Sequence, residues 1–79
     1  MTRTATIRTA VEQPALVARA VRPDNTPEME TRVQGDAVVT RIEREDTGGL
    51  QSTVDDYVVN LTVAREVAQH ANRHTTHKP

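Results

Sequence analysis

The residues best equipped for chemistry lie in the second half of the chain. Asp55 and Asp56 are adjacent carboxylates. Helical neighbours point about 100° apart, so the two cannot converge on one proton. They read as a solvated helix face or as partners for basic side chains. Ser52 lacks the glycine-flanked strand-to-helix turn that makes a serine a nucleophile. His70, His74 and His77 include an i, i+4 pair, a spacing at which two imidazoles can hold a metal. They fall in a tail with no apolar anchor and no nearby carboxylate, so no metal site is expected. Gly48-Gly49 before a helix would offer backbone amides to an anion. No Lys or Ser/Thr follows in the phosphate-loop pattern, which leaves a turn as the simpler role. Arg8, Arg32 and Arg41 are expected on one open sheet face, with Arg22, Arg73 and Lys78 as further basic points. Glu30 and Glu43 interrupt that patch, and no aromatic ring stands beside it to stack a base. Arg8, Arg32, Arg41 and Arg73 are therefore candidate RNA contacts inside a larger assembly. Neither a catalytic set nor a cofactor site is expected.

The elements that position these groups must come from a small chain. It has 79 residues, a formal net charge of −1, no Cys, no Phe, no Trp and one Tyr. At this size a folded chain exposes roughly 4,700 Å² and hides only about 62% of its extended surface. Disulfides and thiolate metal sites cannot supplement so thin a core. Hydrophobic residues make up 35%, which is low but patterned, and a partner surface is expected to complete the fold. The near-neutral charge argues against bulk attraction to nucleic acid or an acidic membrane. Arg3, Arg8, Glu12, Arg19 and Arg22 break up any apolar leader in the first 25 residues, and no stretch could span a bilayer. The expected compartment is the cytoplasm.

Ala5 and Ile7 alternate with Thr4, Thr6 and Arg8, which predicts a strand. Pro14 suits a first helical turn, and a short helix should follow with Leu16 and Ala20 as its buried stripe, ending near Val21 because Pro23 disfavours helical Arg22. Asp24, Asn25 and Thr26 between Pro23 and Pro27 form a turn. Met29, Thr31 and Val33, then Val38, Thr40 and Ile42, give two alternating strands around a Gly35-Asp36 hairpin turn. One long helix should run from about Leu50 to about Asn72, with Asp46 or Thr47 as its cap. The expected fold is α+β, in the order β-α-β-β-α: a three-stranded antiparallel sheet with two helices packed on one face. Residues 1–73 form the single domain, and 74–79 a flexible C-terminal tail.

On the long helix, Leu50, Val54, Tyr57, Val58, Leu61, Ala64, Ala68 and Ala71 share one sector, which should pack on the sheet. Tyr57 should be core, with its hydroxyl at the rim. Val59, Val63 and Val67 line the opposite side at i, i+4, i+8. Three β-branched residues there disfavour an exposed helix and bury nothing in a monomer. They predict contact with a second helix, from another copy or from a partner. Two open sheet edges add to the case for a homodimer.

Two segments together resemble a known family. Val21-Arg22-Pro23-Asp24-Asn25 closes the short helix, and Glu45-Asp46-Thr47-Gly48-Gly49-Leu50 opens the long one, which continues Gln51-Ser52-Thr53-Val54-Asp55-Asp56-Tyr57-Val58-Val59-Asn60-Leu61. Across about residues 3 to 72 the chain resembles the small dimerisation subunit, archaeal type, of the KEOPS complex for tRNA threonylcarbamoyladenosine. The resemblance implies a non-catalytic protein that forms a homodimer through its sheet and helices. It also implies docking to the catalytic threonylcarbamoyltransferase subunit, which works with a partner kinase/ATPase. The assembly modifies the adenosine beside the anticodon of tRNA, and the dimer bridges two catalytic subunits and helps hold tRNA. The expected partner and dimer interface is Leu50, Val54, Tyr57, Val58, Val59, Leu61, Val63 and Val67. Gln51 and Val59 stand where family members often carry basic residues, which favours protein over RNA contact for this helix. Nine arginines against one lysine fit a GC-rich archaeal genome. The alternative is a stand-alone small RNA-binding αβ module, with tRNA affinity of its own and a steep salt dependence.

Overall fold

The computed structural model describes the backbone of residues 1–76 and the side chains of residues 1–70. Strand β1 (Arg3–Ala10) is followed by helix α1 (Pro14–Val21), a single 3-10 turn at Arg22–Asp24, strands β2 (Met29–Gln34) and β3 (Ala37–Arg44), and helix α2 (Thr47–Thr76). The three strands form one antiparallel sheet in the order β1-β3-β2, so the last strand in sequence lies in the middle. The expected β-α-β-β-α order and α+β class are both present.

The hairpin explains the register. Gly35 takes φ +62°, the left-handed region that glycine enters without steric cost, while Asp36 does not. A two-residue loop then forces Gln34 opposite Ala37, Val33 opposite Val38 and Thr31 opposite Thr40. Directly opposed residues in an antiparallel pair share a face. Ile7, Thr31, Thr40, Val38 and Ile42 thus face one way, with Arg8, Arg32, Val39 and Arg41 on the other side.

Both helices lie on the first of these faces. α1 covers β2 and β3, α2 covers β3 and β1, and the helices also touch each other. The core joins Val17, Ala18 and Val21 of α1, Val38 and Ile42 of β3, and Tyr57, Leu61, Ala64 and Ala68 of α2. The buried stripe of α1 is therefore Val17, Ala18 and Val21 rather than Leu16 and Ala20, which are partly buried beside it. The reason is that this two-turn helix is wedged between the sheet and α2 and must turn a wider arc inward than a one-sided amphipathic helix.

Helix α2 begins three residues earlier and runs further than expected. Asp46 is its cap: one carboxylate oxygen accepts the Gly49 amide at 2.5 Å, and its carbonyl accepts the Leu50 amide at 3.0 Å. Gly48 and Gly49 are helical and do not form a turn ahead of the helix. Gly49 leaves room for Arg44, whose Nη1 donates to Thr53 Oγ1 at 2.6 Å and to the Gly49 carbonyl at 3.4 Å. A Cβ on Gly49 would sit 3.0 Å from Arg44 Nη2. Of the expected tail, 74–76 continue the helical backbone, and 77–79 lie outside the described residues.

Thirty helical residues span about 45 Å, against roughly 26 Å for an eight-residue strand. Ala68 already packs in the core, so the last turns of α2 continue past the sheet. The protein extends 56 × 21 × 17 Å and exposes 5467 Å², more than the roughly 4,700 Å² expected of a compact chain of this mass.

Candidate functional site: the outer face of the long helix

The structure divides the expected interface residues of α2 into three groups. Tyr57 and Leu61 are in the core, 1% and 6% exposed, so their side chains meet this chain's own sheet rather than a partner. Leu50 and Val54 are partly buried at the core margin. Val58, Val59, Val63 and Val67 are exposed by 47, 62, 52 and 55%. Val58 therefore leaves the sheet-facing sector in which the helical periodicity placed it. At 100° per residue it lies on the flank of that sector, where the narrow sheet no longer covers it. Ala71 and Arg73 lie beyond the described side chains.

Val59, Val63 and Val67 follow one line down the helix surface. Buried large apolar groups lower the free energy by about 1.5–3 kcal/mol each, so three left half in water form a surface whose burial would favour association. A cleft of about 420 Å³ opens beside the N-terminal end of this line. Its walls include Asp24 and Thr26 from the turn after α1, Met29 from β2, and Asp56, Val59 and Asn60 from α2.

Behind the cleft runs a chain of buried polar groups that the sequence reading did not anticipate. Asn25 Nδ2 donates to Thr31 Oγ1 at 2.7 Å, the Thr31 and Thr40 hydroxyls bond at 2.8 Å, and Thr40 Oγ1 donates to the Tyr57 hydroxyl at 2.6 Å. A hydroxyl has one proton to give, so Thr40 must accept from Thr31, and Thr31 from Asn25. The chain crosses from the turn through two strands to α2. Arg22 tightens the same corner, with Nε and Nη2 both 3.3 Å from the Thr31 carbonyl. Asn25 Oδ1 is the one buried side-chain polar atom without a partner among the described residues.

Burial pushes the Tyr57 phenol above its ordinary 10.0, and the hydrogen bond from Thr40 pulls it partly back. The folded state thus holds this proton more tightly than the unfolded chain does. Tyr57 contributes its full stability below pH ~10 and loses it as the pH rises toward the folded value. The urea midpoint is expected to fall between neutral pH and about pH 11 by more in the wild type than in Tyr57→Phe. Equal falls in the two proteins would remove Tyr57 as the cause.

Arg8, Arg32 and Arg41 do share the sheet face opposite the helices, with Arg8 and Arg32 on either side of Val39. Val39 is only 5% exposed although no helix covers that face. Two of the three arginines have carboxylate partners: Arg41 bonds Glu43, and Arg8 Nη2 lies 3.9 Å from Asp36. Such exposed pairs are worth about 0–1 kcal/mol, but they offset the positive potential an RNA strand would need.

Among the described residues, no three His, Cys, Asp or Glu side chains are grouped to hold a metal ion. Asp55 and Asp56 are both exposed, and Ser52 is an exposed α2 side chain. No helix among the described residues is long and apolar enough to cross a membrane. The chain matches no protein-family model and no curated protein.

Proposed function

We propose that this chain is a non-catalytic dimerisation and docking subunit of a KEOPS-type complex, cytoplasmic and archaeal in type. In this reading it forms a homodimer and bridges two catalytic threonylcarbamoyltransferase subunits, each with its kinase/ATPase partner. It would thereby support threonylcarbamoyl modification of the adenosine beside the tRNA anticodon and help hold the tRNA. The observation that carries the docking role is the line Val59, Val63 and Val67. Each is more than half exposed on a helix whose other side is the core of the fold. The assignment to this complex rests on the resemblance of the Pro23-Asp24-Asn25 turn and the Asp46-Thr47-Gly48-Gly49-Leu50 helix start. The element order supports it.

The test is co-expression with an archaeal catalytic subunit of that complex, followed by native mass measurement. The expected result is a co-purified assembly containing two copies of this chain, and a dimer when the chain is alone. A monomer that never co-purifies would refute the proposal. The rival, a stand-alone RNA-binding module, predicts tRNA affinity without partners that falls steeply with salt. The carboxylate pairing of Arg8 and Arg41 speaks against it.

A further inference from the structure

We infer that the cleft beside Val59 receives a basic side chain, so that the helix docking on α2 carries an apolar i, i+4, i+8 stripe with Arg or Lys at one end. The inference rests on the docking role proposed above and specifies the chemistry of the partner.

Three observations lead to it. First, the cleft is continuous with the valine line, because Val59 belongs to both. A helix laid along Val59, Val63 and Val67 reaches the cleft at Val59. Second, its charges are unbalanced toward the negative. Asp24 and Asp56 are exposed at the cleft and form no ion pair among the described residues. The one cation in its walls, Arg44, is already engaged by Thr53 Oγ1 and the Gly49 carbonyl, with the Glu28 carboxylate at 4.0 Å. The remaining polar walls, Thr26 and Asn60, add side-chain oxygens that can accept a hydrogen bond. Third, Met29 and Tyr57 make part of the lining apolar. An Arg or Lys side chain has matching parts: an aliphatic stem for the apolar wall and a donor head for the carboxylates. A volume of about 420 Å³ accommodates one such side chain with some water. An acidic or purely apolar residue at that place would leave two carboxylates facing it uncompensated, which opposes the wrong partner as strongly as it favours the right one.

The test uses the full chain and two synthetic, helix-stapled peptides with the same leucine stripe, one ending in two arginines and the other in two glutamates. Binding is measured by fluorescence anisotropy at low and at high salt. The basic peptide is expected to bind wild type about tenfold tighter than the acidic one at low salt, with the gap narrowing at high salt. Asp24→Asn with Asp56→Asn should close the gap, with the circular dichroism unchanged because both residues are exposed. Val63→Asp should weaken both peptides. Equal binding of the two peptides to wild type, or binding of neither, overturns the inference. A gap that survives the double substitution also overturns it. Sedimentation of the chain alone checks the other occupant: a dimer lost on Asp56→Asn would place a second copy's helix on the cleft and overturn its assignment to a partner of different sequence. The docking role fails by a different result, unchanged co-purification of Val63→Asp with the catalytic subunit, so the two failures are distinguishable.

Discussion

Val63→Asp is expected to leave the fold intact and abolish association. Val63 is the middle of the exposed line and is not among the residues of the core or packed against it. In the free chain an aspartate there stays in water, and the change should lie within about 0.5 kcal/mol of wild type apart from helix propensity. In a complex the same carboxylate would be buried against an apolar helix. An uncompensated charge there costs several kcal/mol, enough to weaken binding by about a thousandfold. The expected readings are an unchanged circular dichroism spectrum, with loss of the sedimenting complex, whether self-dimer or heteromer, and a urea midpoint that no longer rises with protein concentration. Val59→Asp should behave alike. Unaltered sedimentation and co-purification in both variants would mean that the line is ordinary surface.

The second large effect is on stability. Tyr57→Ala should cost about 3–5 kcal/mol, the usual range for deleting a buried aromatic side chain. Small domains have about 5 kcal/mol in total, so this variant should be largely unfolded at 37 °C. Tyr57 is the single aromatic residue of the chain and one of its largest fully buried side chains. Tyr57→Phe separates the two parts of its role. The ring remains, but Thr40 loses its acceptor inside the core, and about 1–3 kcal/mol should be lost. Urea unfolding followed at 222 nm measures both. A Tyr57→Ala variant with wild-type midpoint would show that the core does not depend on this residue.

Much of this architecture is written in local patterns. Period-2 alternation gave the strands, and Pro14 and Pro23 bracketed the short helix. The Gly35-Asp36 loop was readable as a two-residue turn. The same turn also sets a polar pair inside the core. A two-residue loop places Thr31 opposite Thr40, and both fall on the helix-facing side between apolar residues. Two buried hydroxyls in register demand partners. Tyr57, the only side chain of α2 among the described residues that combines burial in the core with a hydroxyl, supplies one. The missed features were tertiary. The buried arc of α1 depends on two neighbours at once, and the exposure of Val58 depends on where a three-stranded sheet ends. Gly48-Gly49 was misread because glycine suggests a turn, whereas the Asp46 cap and the close approach of Arg44 draw both residues into the first helical turn. The site itself was half readable: the valine line follows from spacing alone, but the cleft beside it is built from three separate segments.

The central position of β3 has a consequence for synthesis. β1 leaves the ribosome first, yet its neighbour in the sheet is the last strand to emerge, and the two meet at Ala10 and Ala37 only after α1 and the whole β2–β3 hairpin have been made. The hairpin closes a short loop and can form as it appears, whereas β1 must wait with Ala5 and Ile7 uncovered until that template exists. Nascent chains halted before β3 are thus expected to be the sticky ones, with the N-terminal segment as the part a chaperone would hold.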